Sequence, residues 1–506
     1  MYFAPSPEHP CPDHVLDSRT KSFQASISLA LVENLARRHN EKKFCRVSED
    51  IQHGHYFSCI SVTFPDDGKE WVVRIPVPTT VDKTWEMIQS EVATTRYIQR
   101  RTSIPVPTVH AYGKDERLTN DDTALQSYII TDRISGTPLS LDGILVMNLE
   151  KRTRLFSQMG DALAALQELT FPTTGSLYPD EDDDTKCHIG PSLCQWEVDI
   201  SNRDGVRHER PPLATAWDSI KLHLGALARG PALRKLFYAE NGRERITREM
   251  FALDAITRHV EDERHAFWRQ DAGFTLNHSG LYYQNILIDG QGNIQGIINW
   301  SKTEILPRQL SGPPPWILCV GNEASWQKYD NVWAEFQDAI HAHHPYRQHL
   351  RYYLDSLEEH AYFATALRWP RHIADVYFWR RFYDTQHREP VDELLAAFFG
   401  SKEEPAASTR REELERRVAE HRSYAVEDIG QRAGALATEM PKLLELCVKV
   451  RDLVENATTA GILFKEPCAS SDSLEPLVPL VESGGSPLPS DDSGRSGNTS
   501  VANESV

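Results

Sequence analysis

Apolar positions along this chain change their spacing in a definite order. From Phe23 to Arg38, Leu29, Leu31, Leu35 and Ala36 recur among polar residues at helical spacing, which predicts a helix. The next stretch alternates. After a break at Gly54, Cys59, Ile60, Val62 and Phe64 lead into the turn residues Pro65-Asp66-Asp67-Gly68. Trp71-Val72-Val73-Arg74-Ile75 then resumes, giving strand, turn, strand. Thr84 to Arg101 returns to helical spacing, with Trp85, Ile88, Val92 and Thr95 on one stripe, and stops where Pro105 and Pro107 enter. Tyr128 to Leu139 reads as a strand running out through Ser135-Gly136-Thr137-Pro138.

Beyond Leu149 the period is helical. Leu155, Met159, Leu163 and Leu166 mark one buried face. Further helices are predicted at Trp217–Leu227, Glu249–Phe267, Asp330–His341, Tyr346–Leu367, His372–Gln386 and Ala435–Ala457. Thr409 with Glu412 forms the pattern of a capping box ahead of the charged segment REELERRVAEHR. Ile305–Leu310 and Pro313–Trp316 read as a break in regular structure. Strands come early and helices dominate later. That is an α+β pattern, with a small sheet lobe followed by a large, mostly helical one.

One stretch in the helical half departs from this period. Between Phe274 and Trp300, Ile286-Leu287-Ile288 is a short apolar run and Asp289-Gly290-Gln291-Gly292-Asn293 carries the residues of a hairpin loop. Ile294, Ile297 and Ile298 resume the β-branched pattern. His278 and Asn285 precede the first strand and Asn299 follows the second, so folding the hairpin brings these polar residues to one end.

Composition narrows the function classes. The chain has 506 residues, 40% of them hydrophobic and 25% charged, ordinary proportions for a globular protein. A formal net charge of −18 argues against a general nucleic-acid or anionic-membrane binder. Neither the polar, proline-containing start nor any later run gives an apolar segment of membrane-spanning length, so a cytosolic or nuclear location is expected. The eight cysteines include no C-x-x-C pair, which suits reduced thiols. Cys187-His188 with Cys194 matches no common zinc spacing. The acidic run DEDDDT lacks the glycine and spaced ligands of a calcium loop and reads as a solvated turn. Residues 466–506 are rich in Ser, Pro, Gly and acid, a composition that does not bury enough apolar surface to offset ordering, so a disordered tail is expected.

The central stretch carries a resemblance. His278-x-x-Leu281-x-x-x-Asn285, then Ile-Leu-Ile-Asp289 and Ile-Ile-Asn299-Trp300, resembles the catalytic segment HxDLxxxNILxD…IIDWE of aminoglycoside phosphotransferase-like proteins, kinase-fold enzymes of a fungal type. The resemblance covers roughly residues 45–400. It implies a bilobal protein-kinase-like fold with a β-rich N-lobe at 45–135 and a helical C-lobe at 136–465, preceded by an N-terminal extension at 1–44.

The resemblance also implies an ATP site with magnesium. Gly54 takes the place of a loop glycine near the phosphates, Arg74 that of the cation on the third strand, and Glu91 that of its helix partner. Backbone groups at Asp132, Arg133 and Ile134 would face an adenine. Read on its own, Arg74 is equally a solvated strand residue, and Glu91 an ordinary surface carboxylate.

Two changes fall at the chemistry. Where the family has the aspartate that accepts the hydroxyl proton, this chain has Gly280. Where it has the magnesium aspartate, this chain has Asn299, followed by Ser301 in place of a glutamate. Phosphoryl transfer rests on positioning and charge neutralisation, and an asparagine offers magnesium one neutral oxygen in place of a carboxylate. The expectation is a catalytically impaired protein that binds a nucleotide, a metabolite or a protein, with magnesium at Asn285 and Asn299 weakened or lost. Two alternatives stand beside it: an active small-molecule phosphotransferase whose carboxylate comes from elsewhere, for instance Glu304, and a scaffold that uses its C-terminal helices.

Overall fold

The computed structural model describes residues 13–54, 56–78, 83–121, 123–180, 182–183, 185–193, 210–228, 242–262, 266–270, 272–314, 316–317, 323–343, 357–368, 377, 387–400, 405–419 and 449. Its first half is built on an antiparallel sheet of β1 (Arg46–Val47), β2 (Gln52–His53), β3 (Phe57–Phe64), β4 (Lys69–Pro76), β5 (Val109–Glu116) and β6 (Gln126–Asp132). The spatial order is β1, β3, β4, β6, β5, with β2 also beside β3. Three helices accompany the sheet: α1 (Asp13–Ser26), α2 (Leu29–His39) and α3 (Thr84–Arg101).

Strand parity assigns the faces. Ile60, Val62 and Phe64 of β3, Trp71, Val73 and Ile75 of β4, and Tyr128 and Ile130 of β6 pack with Val32, Leu35 and Ala36 of α2. The intervening residues Phe57 and Ile129 face Met87, Ile88 and Val92 of α3. Full burial of Ile88 and Val92 contributes about 1.5–3 kcal/mol for each side chain. A sheet covered on both sides leaves neither face wholly to solvent. Cys59 and Arg74, opposite one another across β3 and β4, therefore lie on the α3 side.

The larger lobe opens with β7 (Thr137–Pro138), α4 (Leu141–Val146) and α5 (Leu149–Glu168). Ser140 and Asn148 cap the two helices, their side-chain oxygens accepting from the Gly143 N–H at 3.0 Å and the Lys151 N–H at 2.9 Å. There follow β8 (Thr170–Phe171), β9 (Ser176–Pro179), β10 (Cys187–Gly190), α6 (Ala216–Ala228), α7 (Gly242–Glu261), β11 (Phe274–His278), β12 (Ile286–Ile288), β13 (Ile294–Ile297), β14 (Thr303–Pro307), α8 (Glu323–His343), α9 (Leu357–Arg368) and α10 (Val391–Gly400). Leu155, Phe156, Met159, Leu163 and Leu166 of α5 share one core with Leu276, Ile286, Trp300, Phe336 and Phe363. The α+β, bilobal arrangement is as expected. The chain separates into two compact units, Met1–Gly434 and Ala435–Val506, and all described residues except Lys449 belong to the first.

Several elements differ from the sequence reading. The first predicted helix is two helices broken at Ile27-Ser28, where the Ser28 N–H donates to Leu118 O (3.0 Å) and Asn120 N–H donates to Ser26 O (2.8 Å). Pairing with the 118–120 loop replaces two helical bonds. Ile305–Pro307, read as irregular, belongs to β14, which pairs with β11 in register from Phe274↔Pro307 to His278↔Thr303. Every residue of both strands is buried, so the strands lack the exposed face that alternation advertises. Thr409 is inside a helix at 405–419 and its hydroxyl donates to Pro405 O at 3.3 Å, so it is not a capping residue.

The acidic turn carries local bonds: Thr185 N–H donates to Asp183 Oδ1 at 3.0 Å and Asp182 N–H to Asp180 Oδ1 at 3.1 Å. Cys194, the helix at Ala435–Ala457 save Lys449, and the tail at 466–506 lie outside the described residues, as does His372–Gln386 apart from Tyr377. Among the described residues no helix is long and apolar enough to cross a membrane.

Candidate functional site

The β12–β13 hairpin is held by its loop. Asp289 Oδ1 accepts from the N–H groups of Gln291 (2.8 Å) and Asn293 (2.9 Å), and Gly292 adopts φ +81°, a conformation that favours glycine. At the other end the hairpin meets β11. The His278 Nε2–H donates to Ile298 O at 3.1 Å and its ring lies 4.4 Å from that of Trp300. Burial lowers the His278 pKa to about 4, so the ring is neutral at pH 7 and acts as a tie between two strand ends.

Between His278 and Asn285 the chain makes a tight loop. Ser279 N–H donates to Lys302 O (2.9 Å), Tyr282 N–H to Gly280 O (2.7 Å), and Asn285 Nδ2 to the same Gly280 oxygen (2.6 Å). The backbone of Lys302 thus fixes the start of the loop. The Lys302 side chain then runs past Gly280: a Cβ built on Gly280 would stand 3.1 Å from Lys302 Cδ. The lysine ends with its Nζ 3.4 Å from the centroid of the Tyr56 ring, in the turn between β2 and β3. That is a cation–π contact from the helical lobe to the sheet lobe.

A second contact spans the lobes. Arg74 Nη1 pairs with Glu91 Oε1 of α3, and Arg74 Nη2 donates to Asn299 Oδ1 at 3.2 Å. Glu91 is 2% exposed, so the reading of a surface carboxylate is corrected: with α3 covering the sheet, Glu91 has no outward face. Arg74, at 8%, is likewise not a solvated strand residue. Its guanidinium carbon lies 4.1 Å from the centroid of Phe57. Burial works against its charge, but Glu91 and Cys59 more than offset that and raise its pKa. Burial also pushes the Cys59 thiol up, against the pull of Arg74.

Asn299 sits in the left-handed region at φ 66°, and its Oδ1 also accepts from Ser301 Oγ at 3.0 Å. Gly54 N–H donates to Phe57 O (2.8 Å), closing the turn that carries Tyr56 and leads into β3 at Phe57. At the strand exit the Asp132 N–H is bonded to Thr108 O and the Arg133 N–H to Glu70 O, while Ile134 packs on Gly296 of the hairpin. Of the backbone groups expected to face an adenine, the N–H groups of Asp132 and Arg133 are thus engaged within the chain.

Glu304 lies beside this loop on β14. Its Oε1 accepts from Ser192 Oγ (2.6 Å) and its Oε2 from Ser279 Oγ (3.0 Å), with Arg368 Nη2 donating to Ser279 Oγ at 3.2 Å. The cavity next to them, lined by Asn277, His278, Ser279, Tyr282 and Arg368 among others, measures about 20 Å³, room for about one water. Away from the polar end of the hairpin, Arg101, Gln158, Asp161, Glu168 and Ile294 border a groove of about 680 Å³.

Residues 51–305 match the family described as phosphotransferase enzyme family, a span that runs from β2 through the hairpin to β14 and takes in half of the chain. The chain belongs to that family. Among curated proteins it is similar to "Altered inheritance of mitochondria protein 9, mitochondrial" of Candida albicans (strain WO-1), 28% identical over 171 residues, 33% of this chain and 27% of that protein. The chain thus matches about a quarter of the length of that relative. Among solved structures, the GDP complex of wild-type aminoglycoside 2'-phosphotransferase-IIIa is 15% identical, with a TM-score of 0.37, covering 78% of this chain and 99% of the other. Aminoglycoside phosphotransferase APH(4)-Ia is 14% identical with a TM-score of 0.38, covering 78% and 99%.

At the polar end of the hairpin Asn285 and Asn299 present neutral amides. A hard divalent ion prefers anionic oxygen, and Asn299 Oδ1 already accepts from Arg74 and Ser301. Among the described residues no group of three or more His, Cys, Asp or Glu side chains is placed to hold a metal ion. The structure brings Arg74, Glu91 and Asn299 into contact and places His278, Gly280 and Asn285 in one loop, while sequence reasoning missed the contacts that Lys302, Tyr56, Phe57 and Ser279 make beside them. Lys302 had a signal: it is the only lysine or arginine between Phe274 and Pro307.

Proposed function

We propose that this phosphotransferase-family protein is a catalytically impaired member whose cleft binds a small ligand without transferring phosphate. The observation that carries the reading is at Gly280. The position that would hold the hydroxyl-accepting carboxylate has no side chain, and the alkyl chain of Lys302 occupies the space beside it. A positioned general base contributes on the order of 10²–10⁴ in rate, and a neighbouring ammonium disfavours proton uptake by anything placed there. Asn285 and Asn299 give no carboxylate to a divalent ion, so the residues present do not fit magnesium in the manner the family motif implies.

Glu304 supports a second reading, an active enzyme with a relocated base, because its carboxylate is bonded to Ser279, the neighbour of Gly280. Its burial and the hydroxyl on each of its two oxygens weigh against that role. The deciding assay supplies ATP, magnesium and alcohol or aminoglycoside acceptors. No transfer is expected from the native chain. Transfer that disappears in Glu304→Gln would replace the first reading by the second.

A further inference from the structure

We propose that the groove bordered by α3, α5 and β13 is a second binding site, for a short zwitterionic peptide with apolar side chains whose carboxylate meets Arg101 and whose ammonium meets Glu168. The groove measures about 680 Å³, within the range of small-molecule sites. It is separate from the polar end of the hairpin. None of Arg74, Glu91, His278, Gly280, Asn285 and Asn299 lines it.

Hydrogen bonds tie the walls together before a ligand arrives. Gln158 Oε1 accepts from the Ile294 N–H at 2.9 Å, joining α5 to β13, and the Ile297 N–H donates to Pro105 O at 2.8 Å, joining β13 to the segment after α3. These bonds also engage two N–H groups of β13, the edge strand of its sheet, so an added strand finds no free ladder there. The occupant is therefore held by side chains. Ala162 and Ala165 lie on the face of α5 that lines the groove, and each puts only a methyl group there, which leaves the volume open. Ile104, Leu169, Ile294 and Ile297 supply apolar surface for the side chains of the peptide.

Opposite charges stand on different walls. Arg101 is the last residue of α3 and Glu168 the last of α5. The Arg101 guanidinium lies 5.8 Å from the centroid of Tyr97, whose ring is 5.7 Å from that of Phe171, three residues beyond Glu168. That contact brings both helix ends to one end of the groove. Both side chains are exposed, and among the described residues neither is in an ion pair. Glu168 also stands against the dipole of its helix, since α5 has no basic residue in its last turn, and a ligand ammonium relieves that. The planar fork of Arg101 suits a terminal carboxylate. A ligand of single charge is attracted by one wall and repelled by the other, whereas the two ends of a short peptide satisfy both. Asp161, about 10 Å back along α5, keeps that wall acidic and orients the ammonium toward it.

Titration calorimetry of the full chain with the dipeptide leucyl-phenylalanine at low salt tests this. The N-acetylated and the C-amidated dipeptides, each lacking one charge, should bind roughly threefold to fivefold more weakly, the scale of an exposed ion pair. Glu168→Gln should weaken the free dipeptide by a similar factor and leave the N-acetylated form unchanged, while Ala165→Phe, which fills the groove, should abolish binding. Melting curves identify any variant that fails to fold, and the comparison of the three dipeptides on the native chain stands without variants. No binding of leucyl-phenylalanine by the native chain, equal binding of its blocked forms, or unaltered binding by folded Ala165→Phe would overturn the proposal. None of these outcomes measures phosphate transfer and no variant touches Gly280 or Asn299, so the impaired-catalysis reading keeps its own assay.

Discussion

At the scale of single residues, the cleft is governed by what Gly280 leaves out. Gly280→Asp places a carboxylate beside Lys302, and the two are expected to form an ion pair that leaves neither available. The single substitution should therefore stay inactive in ATP transfer. Transfer by Gly280→Asp alone would show that Lys302 does not control the site. His278 gives a pH signature. Its folded pKa of about 4 lies below the ordinary 6.5, so the unfolded state binds more protons between those values and stability falls as pH drops through that window. The full penalty is on the order of 3 kcal/mol. His223, lowered to about 3 by burial, adds to it in the same direction. Urea midpoints at pH 7 and pH 5 should differ in the native chain and differ less in His278→Asn. An equal shift in both would mean that His278 is not the titrating tie.

At the scale of elements, the α3–β4 pair sets the geometry. Removing Arg74 alone strands Glu91, 2% exposed, so Arg74→Ala should cost about 3–5 kcal/mol, whereas Arg74→Met with Glu91→Leu should cost much less. Additive losses in that double-mutant cycle would sink the coupling. The hairpin loop gives an independent check, since Gly292 combines φ +81° with a close approach to Lys151 O. Gly292→Ala should lower stability by about 1–2 kcal/mol in denaturant titration, and an unchanged midpoint would contradict strain at this position. These elements were legible to different degrees. Thr84–Arg101 was bounded correctly because its stripe is regular and prolines follow it. The hairpin was legible because Asp, Gly and Asn punctuate two β-branched runs. β14 was missed because all five of its residues, Glu304 included, are buried and no alternation survives. The N-terminal helix pair was read as one because the bonds that break it come from residues 118–120, far along the chain.

At the scale of the whole molecule, the lobes are linked by Arg74 to Asn299 and by Tyr56 to Lys302. Motif reading named Arg74 and Asn299 separately, one as the partner of Glu91 and the other at a metal position, and did not pair them. The second contact was invisible to motif reading, because a lysine three residues beyond Asn299 has no fixed direction until Ser279 and Gly280 constrain it. The direct measurement of the central claim is ATP turnover with magnesium and hydroxyl acceptors, the native chain against the Arg74→Met, Glu91→Leu variant, which dismantles the cleft without stranding a charge. Equal, background phosphate transfer by both is the predicted result. Transfer by the native chain well above the variant would contradict it and establish an active phosphotransferase.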